Sequence, residues 1–545
     1  MLRPLCTTGL TVATLFFAFS LTPSLVPRPF AAQGLISGLS FTAGYALGVA
    51  GLWLWVWLGI PQWRGRAAFW FRVGTAALCA LVAVVFLWRA AGWQNDLRAL
   101  MGMPEDVGVR PLGIGVITVL VFVGLLFVAR LFRLVFGLIA RALRRVIPPR
   151  IAQGVGLVLA LMLFWSVGNG VLFSKALRGA DASYHQWHVT VQPEQSPPQE
   201  PLRTGSEDSL ISWEELGQRG RDYIAGTPSA EAIEAATGNA AQTPIRVYVG
   251  LGAAETPEER AELALQEMRR VGAFERSTLL LITPTGTGWV DPVAQLSAEH
   301  LLGGDVASVA AQYSYLPSFL ALLVEGEYGV QSARALFQAV YGHWRTLPED
   351  ERPALYLYGL SLGALNGGRA FDAHDIIGDP FAGALWSGPP FRSEVWRDIT
   401  AQRQPGSPAW RPRFRDGSVV RFMNQEGGLE RGEAPWGPYR IAYLQYASDP
   451  VTFFSPDLFW RRPDWLQDPR GPDVSPALRW FPVVTGLQVL ADISAGEAPR
   501  GFGHEYAMED YLSAWQALLD LEGWPAARRI ALARHLEQRR LAPGD

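Results

Sequence analysis

Ala354-Leu-Tyr-Leu-Tyr-Gly359-Leu-Ser361-Leu-Gly363-Ala-Leu-Asn-Gly-Gly368 is the stretch from which the fold is read. Apolar, β-prone sequence runs into Gly-x-Ser-x-Gly, and small, helix-compatible residues follow. That order predicts a nucleophile elbow: a buried parallel strand, a Ser on a sharp turn, then a helix. A side chain at Gly359 or Gly363 would clash where strand and helix converge. Ser361 is then expected to take a strained backbone conformation that lifts its hydroxyl clear of the sheet. The N–H of Leu362 points to where a carbonyl oxygen would turn negative. The chain carries 56 Gly, so Gly-x-Ser-x-Gly alone is a weak signal. Its flanks give it weight; the plain alternative is a tight turn whose Ser merely caps the helix.

Outward from this stretch the pattern is βαβ. Residues 245–251 (Ile-Arg-Val-Tyr-Val-Gly-Leu) read as a strand, and Thr256-Pro-Glu-Glu-Arg opens a helix with an N-cap, a Pro and acids in its first turn. Further strands are expected at 278–283, 382–386, 419–423 and 440–446, with a helix at roughly 328–346 leading into the elbow strand. Short apolar strands separated by helices imply a parallel sheet covered on both faces. No internal repeat is present.

A Ser nucleophile needs a base and an acid to hold that base, and in this fold they follow it in the order acid, then His. Of the seven His, only His374, His504 and His535 lie beyond Ser361. His374 leaves no room for a strand-borne acid, and His535 sits in a charged helical tail that reads as a solvated face. His504 lies in Gly-Phe-Gly-His504-Glu-Tyr, a flexible loop before an amphipathic helix, which is where a catalytic His belongs. For the acid, 440–446 leads into Ala-Ser-Asp449-Pro, placing Asp449 just past the carboxyl end of a strand, where ligand-contacting groups collect. Asp457 and Asp464 are fallbacks without a clear strand before them. The rest of an oxyanion hole is expected from Thr283-Pro-Thr285-Gly286-Thr287-Gly288-Trp289, whose two Gly allow N–H groups to face an anion. A phosphate loop is the rival there, but Gly-Lys-Ser/Thr is absent.

The 545 residues divide sharply in character. Net charge is −3 and the pI about 6.2, which gives no basic bias toward nucleic acid. The two cysteines, Cys6 and Cys79, both lie in apolar N-terminal sequence, so no disulfide framework or Cys catalysis is expected farther on. Five apolar segments occur, at about 7–22, 35–60, 68–88, 111–129 and 151–173, and the last four reach the roughly 20 residues a spanning helix needs. The first is read as a fifth span. Arg130, Arg133, Arg141, Arg144, Arg145 and Arg150 follow the fourth segment and Arg64, Arg66 and Arg72 the second. These loops are assigned to the cytoplasm, which sends the later chain to the outer side of the plasma (inner) membrane. The expected organisation is a transmembrane domain (1–180), a proline-rich linker (181–209) and a globular domain (210–545). His185 and His188 form a His-x-x-His pair in the linker, but no third ligand stands at metal-site spacing, so no metal is expected.

The multi-span N-terminal region, together with Thr-Pro-Thr-Gly-Thr-Gly-Trp-Val-Asp-Pro (283–292), Gly-Leu-Ser-Leu-Gly (359–363), Ala-Ser-Asp-Pro (447–450) and Gly-Phe-Gly-His (501–504), resembles the bacterial α/β-hydrolase membrane proteins. The resemblance covers nearly the whole chain. It implies an α-helical transmembrane domain followed by an α/β-hydrolase domain with a Ser361–Asp449–His504 triad; it says little about substrate. The expected activity is cleavage of a carboxylic ester or thioester with a lipid-like acyl chain, without a cofactor. The expected partners are the lipid bilayer and a small acyl-ester substrate, and no nucleic acid. An acyltransferase on the same triad and an inactive hydrolase-fold scaffold are the alternatives. Trp and Arg crowd 403–415 and 455–475, which read as cap insertions, and Trp289, Phe453 and Phe454 are expected to line the substrate pocket.

Overall fold

The computed structural model describes residues 5–61, 65–106, 108, 110–168, 196–316 and 327–541. The His185/His188 pair and residues 181–195 of the expected linker lie outside them. The chain forms two compact units: one comprises Met1–Ala180, Phe454–Leu466 and Asp473–Pro499, the other Asp181–Phe453, Gln467–Pro472 and Arg500–Asp545.

The second unit is built on seven parallel strands: β1 (Ile245–Val249), β2 (Thr278–Thr283), β3 (Val306–Ala311), β4 (Ala354–Leu360), β5 (Gly383–Ser387), β6 (Val420–Met423) and β7 (Arg440–Leu444). Their order is β1-β3-β2-β4-β5-β7-β6. Every residue of β4 after Ala354 is buried, the continuous apolar run of a strand covered on both faces. Helices pack in two groups, one of Pro257–Arg270, Tyr328–Trp344 and Leu362–Gly367, the other of Pro292–Leu301, Met508–Leu518 and Ala526–Leu541. Pro257–Arg270 begins as expected, with Thr256 and Glu259 forming a reciprocal capping box.

Six of the seven strands lie within about two residues of their expected places. β3 is the exception. Its sequence, Val-Ala-Ser-Val-Ala-Ala, is rich in the best helix former, yet all six residues are buried between β1 and β2. Burial on both faces outweighs propensity here. The last part of the expected linker is folded as well: Ser209 Oγ donates to Glu267 at 2.7 Å, and Arg270 donates to Pro201 O at 2.6 Å.

Register brings the carboxyl ends of four strands level. Thr283 of β2 pairs with Gly359 of β4, and Ser387 of β5 pairs with both Leu360 and Leu444 of β7. The elbow, the β2 exit loop and the segment after β7 therefore start from one edge of the sheet.

The first unit contains α1 (Thr7–Ser20), α2 (Phe30–Trp57), α3 (Arg66–Leu100), α4 (Pro111–Leu143) and α5 (Pro149–Trp165, continued by a π turn to Gly168). Four of these, α2 to α5, are long and apolar enough to cross a membrane. The segment expected at 7–22 as a fifth span falls on α1, which is not among these four. α1 has 14 residues, about 21 Å of helix, short of a hydrocarbon core of about 30 Å. Large apolar side chains stand exposed along α2 to α5, among them Trp53, Trp57, Trp70, Trp88, Leu120 and Phe127, which suits a lipid-facing band.

The same unit takes in the helix Val484–Ala495. Its Asp492 accepts from Ser24 Oγ at 3.0 Å and Leu25 N at 3.1 Å, and lies 3.4 Å from Arg28. Gln488 donates to the Thr22 carbonyl, and Phe481 stacks on Phe19 at 4.1 Å. Glu497 pairs with Arg98 near the end of α3. The start of α2, the end of α3 and residues 492–497 thus share one end of the helical unit.

Candidate active site

At the elbow, Ser361 adopts φ 56° and ψ −121° between β4 and the helix Leu362–Gly367. A left-handed φ is costly for a residue with a side chain and persists only where the surroundings enforce it. Here they do. A Cβ on Gly359 would stand 2.3 Å from the Gly363 carbonyl carbon, and one on Gly363 would stand 2.1 Å from Thr283 O. Ser361 N–H is held by Ser387 O at 2.9 Å. Leu362 opens the helix, at a position whose N–H has no partner within the helix.

The loop after β2 is a closed turn. Gly288 N–H donates to Thr285 O at 2.9 Å, and Thr285 N–H donates to Trp289 O at 3.0 Å. Tyr248 Oη holds the Gly288 carbonyl at 2.7 Å and Gln312 Nε2 the Thr287 carbonyl at 3.1 Å. Two of the four loop residues expected to join Leu362 as oxyanion donors, Thr285 and Gly288, therefore spend their N–H groups inside the loop. Trp289 is half-buried. Phe453 and Phe454 are buried, and the Phe453 ring meets Trp396 edge-on.

Asp449 follows β7 and is fully buried. Its Oδ1 accepts from Val451 N at 2.8 Å and Thr452 N at 3.3 Å. Its Oδ2 accepts from Thr452 Oγ1 at 3.1 Å, from Tyr506 Oη at 2.7 Å, and stands 2.7 Å from His504 Nδ1. Gly503 N–H donates to Ser448 Oγ at 2.9 Å, which ties the His504 loop to the acid's own turn. Burial works against the imidazolium of His504, but the charge and hydrogen bond of Asp449 outweigh it, and the pKa is raised above the ordinary 6.5.

The imidazole crosses over Gly388, the residue after β5. A Cβ there would stand 2.6 Å from His504 Cε1 and 2.8 Å from Tyr506 Oη. Gly388 thus lies against the ring, and the adjacent Ser387 carbonyl holds Ser361. His504 Nε2 is buried and makes no hydrogen bond among the described residues.

The acid and the His chosen from sequence are therefore in contact, and the elbow has the expected backbone. The fallback acids Asp457 and Asp464 are exposed on 3₁₀ turns. His374 is exposed beside Asp372 and Asp375. His535, expected on a solvated face, is half-buried with Nε2 shielded, because its helix turns Leu532, Ala533 and Leu536 inward. Sequence reading missed Tyr506, Gly388, Thr452 and Ser448. The signals were short: an aromatic two residues past the His, a Gly at a strand exit, and hydroxyls flanking Asp449.

A parallel seven-stranded sheet with helices packed on it, and a strained Ser between its central strand and a helix, defines an α/β-hydrolase fold. The chain belongs to the Alpha/beta-hydrolase family, whose model matches residues 245–532, and the model of that family's N-terminus matches residues 21–228. Comparison with curated proteins and with solved structures gave no match.

Proposed function

We propose that the protein is a membrane-anchored serine hydrolase acting on a carboxylic ester or thioester with an apolar, lipid-like acyl chain. Ser361 attacks the acyl carbonyl while His504 Nε2 takes its proton and returns it to the leaving group. Asp449 fixes the imidazole with Nδ1–H facing the carboxylate, so that Nε2 is the basic nitrogen. Leu362 N–H and the 285–288 loop stabilise the oxyanion, with Gly286 and Thr287 as the loop's donors in this reading; the N–H groups of Thr285 and Gly288 are spent. Trp289 is the pocket aromatic. The observation that carries the reading is the 2.7 Å His504–Asp449 contact, with the ring lying over Gly388 beside the carbonyl that holds the strained Ser361.

The helices α2 to α5 are the anchor. The side of the chain after α5 is read from the loops and does not depend on α1. The Arg-rich α2–α3 and α4–α5 loops still go to the cytoplasm, which leaves the chain after α5 outside. The meeting of Arg28 and Arg98 with residues 492–497 at the opposite end of the bundle supports this orientation.

One experiment tests both parts: a membrane-impermeant fluorophosphonate applied to intact spheroplasts carrying wild type or Ser361→Ala. Labelling of wild type before lysis, absent in Ser361→Ala, is expected. Labelling that survives the substitution removes Ser361 from the mechanism, and labelling only after lysis reverses the orientation. In the same membranes, p-nitrophenyl esters of increasing chain length read the acyl preference; turnover confined to acetate removes the lipid-like substrate.

A further inference from the structure

Asp449 Oδ2, the oxygen that faces the imidazole, is shared. Besides His504 it takes the phenol of Tyr506 at 2.7 Å and the Thr452 hydroxyl at 3.1 Å. The other oxygen is already held by two backbone N–H groups, so Asp449 does not need Tyr506 to keep its place. We propose that Tyr506 is a positioning residue for the base: its phenol draws charge from Asp449 Oδ2 and thereby sets how tightly His504 holds its proton. The proposal rests on the Ser361–His504–Asp449 reading above and extends it to a fourth side chain.

The phenol is built to stay a donor. Tyr506 is fully buried, its ring stacks on Tyr446 at 4.6 Å, and the Tyr446 hydroxyl accepts from Ala507 N at 3.0 Å. Burial, with the Asp449 charge added, raises its pKa far above 10, so it does not ionise in any working range. Arg500 closes the turn by donating to the Tyr506 carbonyl at 3.1 Å. The charged groups facing the imidazole are Asp449, Glu505 on its own loop, and Asp291 at the start of Pro292–Leu301; Arg500 in turn faces Asp291. Deleting one phenolic oxygen changes none of these charges. It changes only how much of the Asp449 charge reaches His504.

The sign follows. Without the Tyr506 donor, Asp449 Oδ2 is a stronger acceptor, the imidazolium is better stabilised, and His504 must be titrated at higher pH before it acts as a base. In the full-length protein in detergent micelles, the rate of fluorophosphonate labelling should rise with pH along an acid limb governed by His504. Tyr506→Phe should move that limb up by about half to one pH unit, a several-fold slower labelling at pH 7 that recovers at the alkaline plateau. 3-Fluorotyrosine placed at 506 alone, a more acidic phenol and stronger donor of nearly the same size, should move the limb down. The second variant keeps the test open if Tyr506→Phe fails to fold. A purely structural Tyr506 would lower the plateau or the melting temperature and leave the limb in place. An unmoved limb, or a limb that rises with fluorotyrosine, overturns the proposal. Ser361→Ala is the control: persistent labelling there overturns the hydrolase reading itself, whereas lost labelling with an unmoved limb overturns only the role of Tyr506.

Discussion

Each unit holds a buried arginine–carboxylate pair, and the two are made very differently. In the sheet unit, Arg246 meets Glu299 with a full fork, Nε and Nη2 each 2.7 Å from a separate carboxylate oxygen. Its remaining nitrogen donates to Tyr223 O at 2.6 Å, with the Tyr223 ring 5.0 Å from the guanidinium. In the helical unit, Arg28 reaches Asp492 with one nitrogen at 3.4 Å, and its Nε and Nη2 are buried without a hydrogen bond among the described residues. Asp492 spends its oxygens on Ser24 and Leu25 instead. Burying charge is repaid only when geometry and hydrogen bonds are complete. The first pair is a finished joint between β1 and Pro292–Leu301. The second is a clamp on the turn after α1, with the arginine there mainly to balance its charge.

The comparison can be broken in order of expected effect. Glu299→Gln strands a buried guanidinium and should cost about 3–5 kcal/mol, read as a lower urea midpoint for the sheet unit. Asp492→Asn keeps an acceptor for Ser24 and should cost about 1–3 kcal/mol, read from the thermal midpoint of the micelle-bound chain. If Asp492→Asn proves the more damaging, the clamp is a joint after all. The third substitution concerns a buried carboxyl that takes the Tyr446 hydroxyl and has no cation beside it among the described residues. Burial, joined by the neighbouring Glu509 charge, pushes Asp510 up to about 7 against the opposing hydrogen bond of Tyr446. The folded state then binds a proton more tightly than the unfolded chain, so this group makes stability fall as pH rises from about 4 to about 7, and flatten above. Asp510→Asn should remove that slope and stabilise the protein at pH 8 by about 1–2 kcal/mol, since water and relaxation soften buried charge. At pH 4 the two should melt alike; a slope that persists in the Asp510→Asn variant would assign it to another group.

The parts legible in sequence were those governed by local rules. Gly359 and Gly363 at fixed spacing around a Ser, between a strand and a helix, announce the elbow because that turn brings strand and helix backbones into contact. Thr256-Pro-Glu-Glu announces a helix start because the cap is a four-residue device. β3 was illegible because Val-Ala-Ser-Val-Ala-Ala becomes a strand through its neighbours on both sides, not through its own propensity. α1 was read as a span on apolarity, but 14 residues set its length. At the site, fold order pointed to Asp449 and His504. Tyr506 and Gly388 act through the space between loops that are distant in sequence, and nothing near either residue records that space.

Asp449 and His504 stand at the two ends of a stretch of chain whose middle, Phe454–Leu466 and Asp473–Pro499, is folded with the N-terminal helices. The hydrolase half therefore cannot be excised with one cut near residue 200. Such a fragment would keep Asp449 and His504 but leave their connecting segment stripped of Arg28, Ser24 and Phe19. Swapping the N-terminal helices for an unrelated set meets the same obstacle. The two halves are separate in architecture yet interleaved in the gene, and can be exchanged only as a matched set.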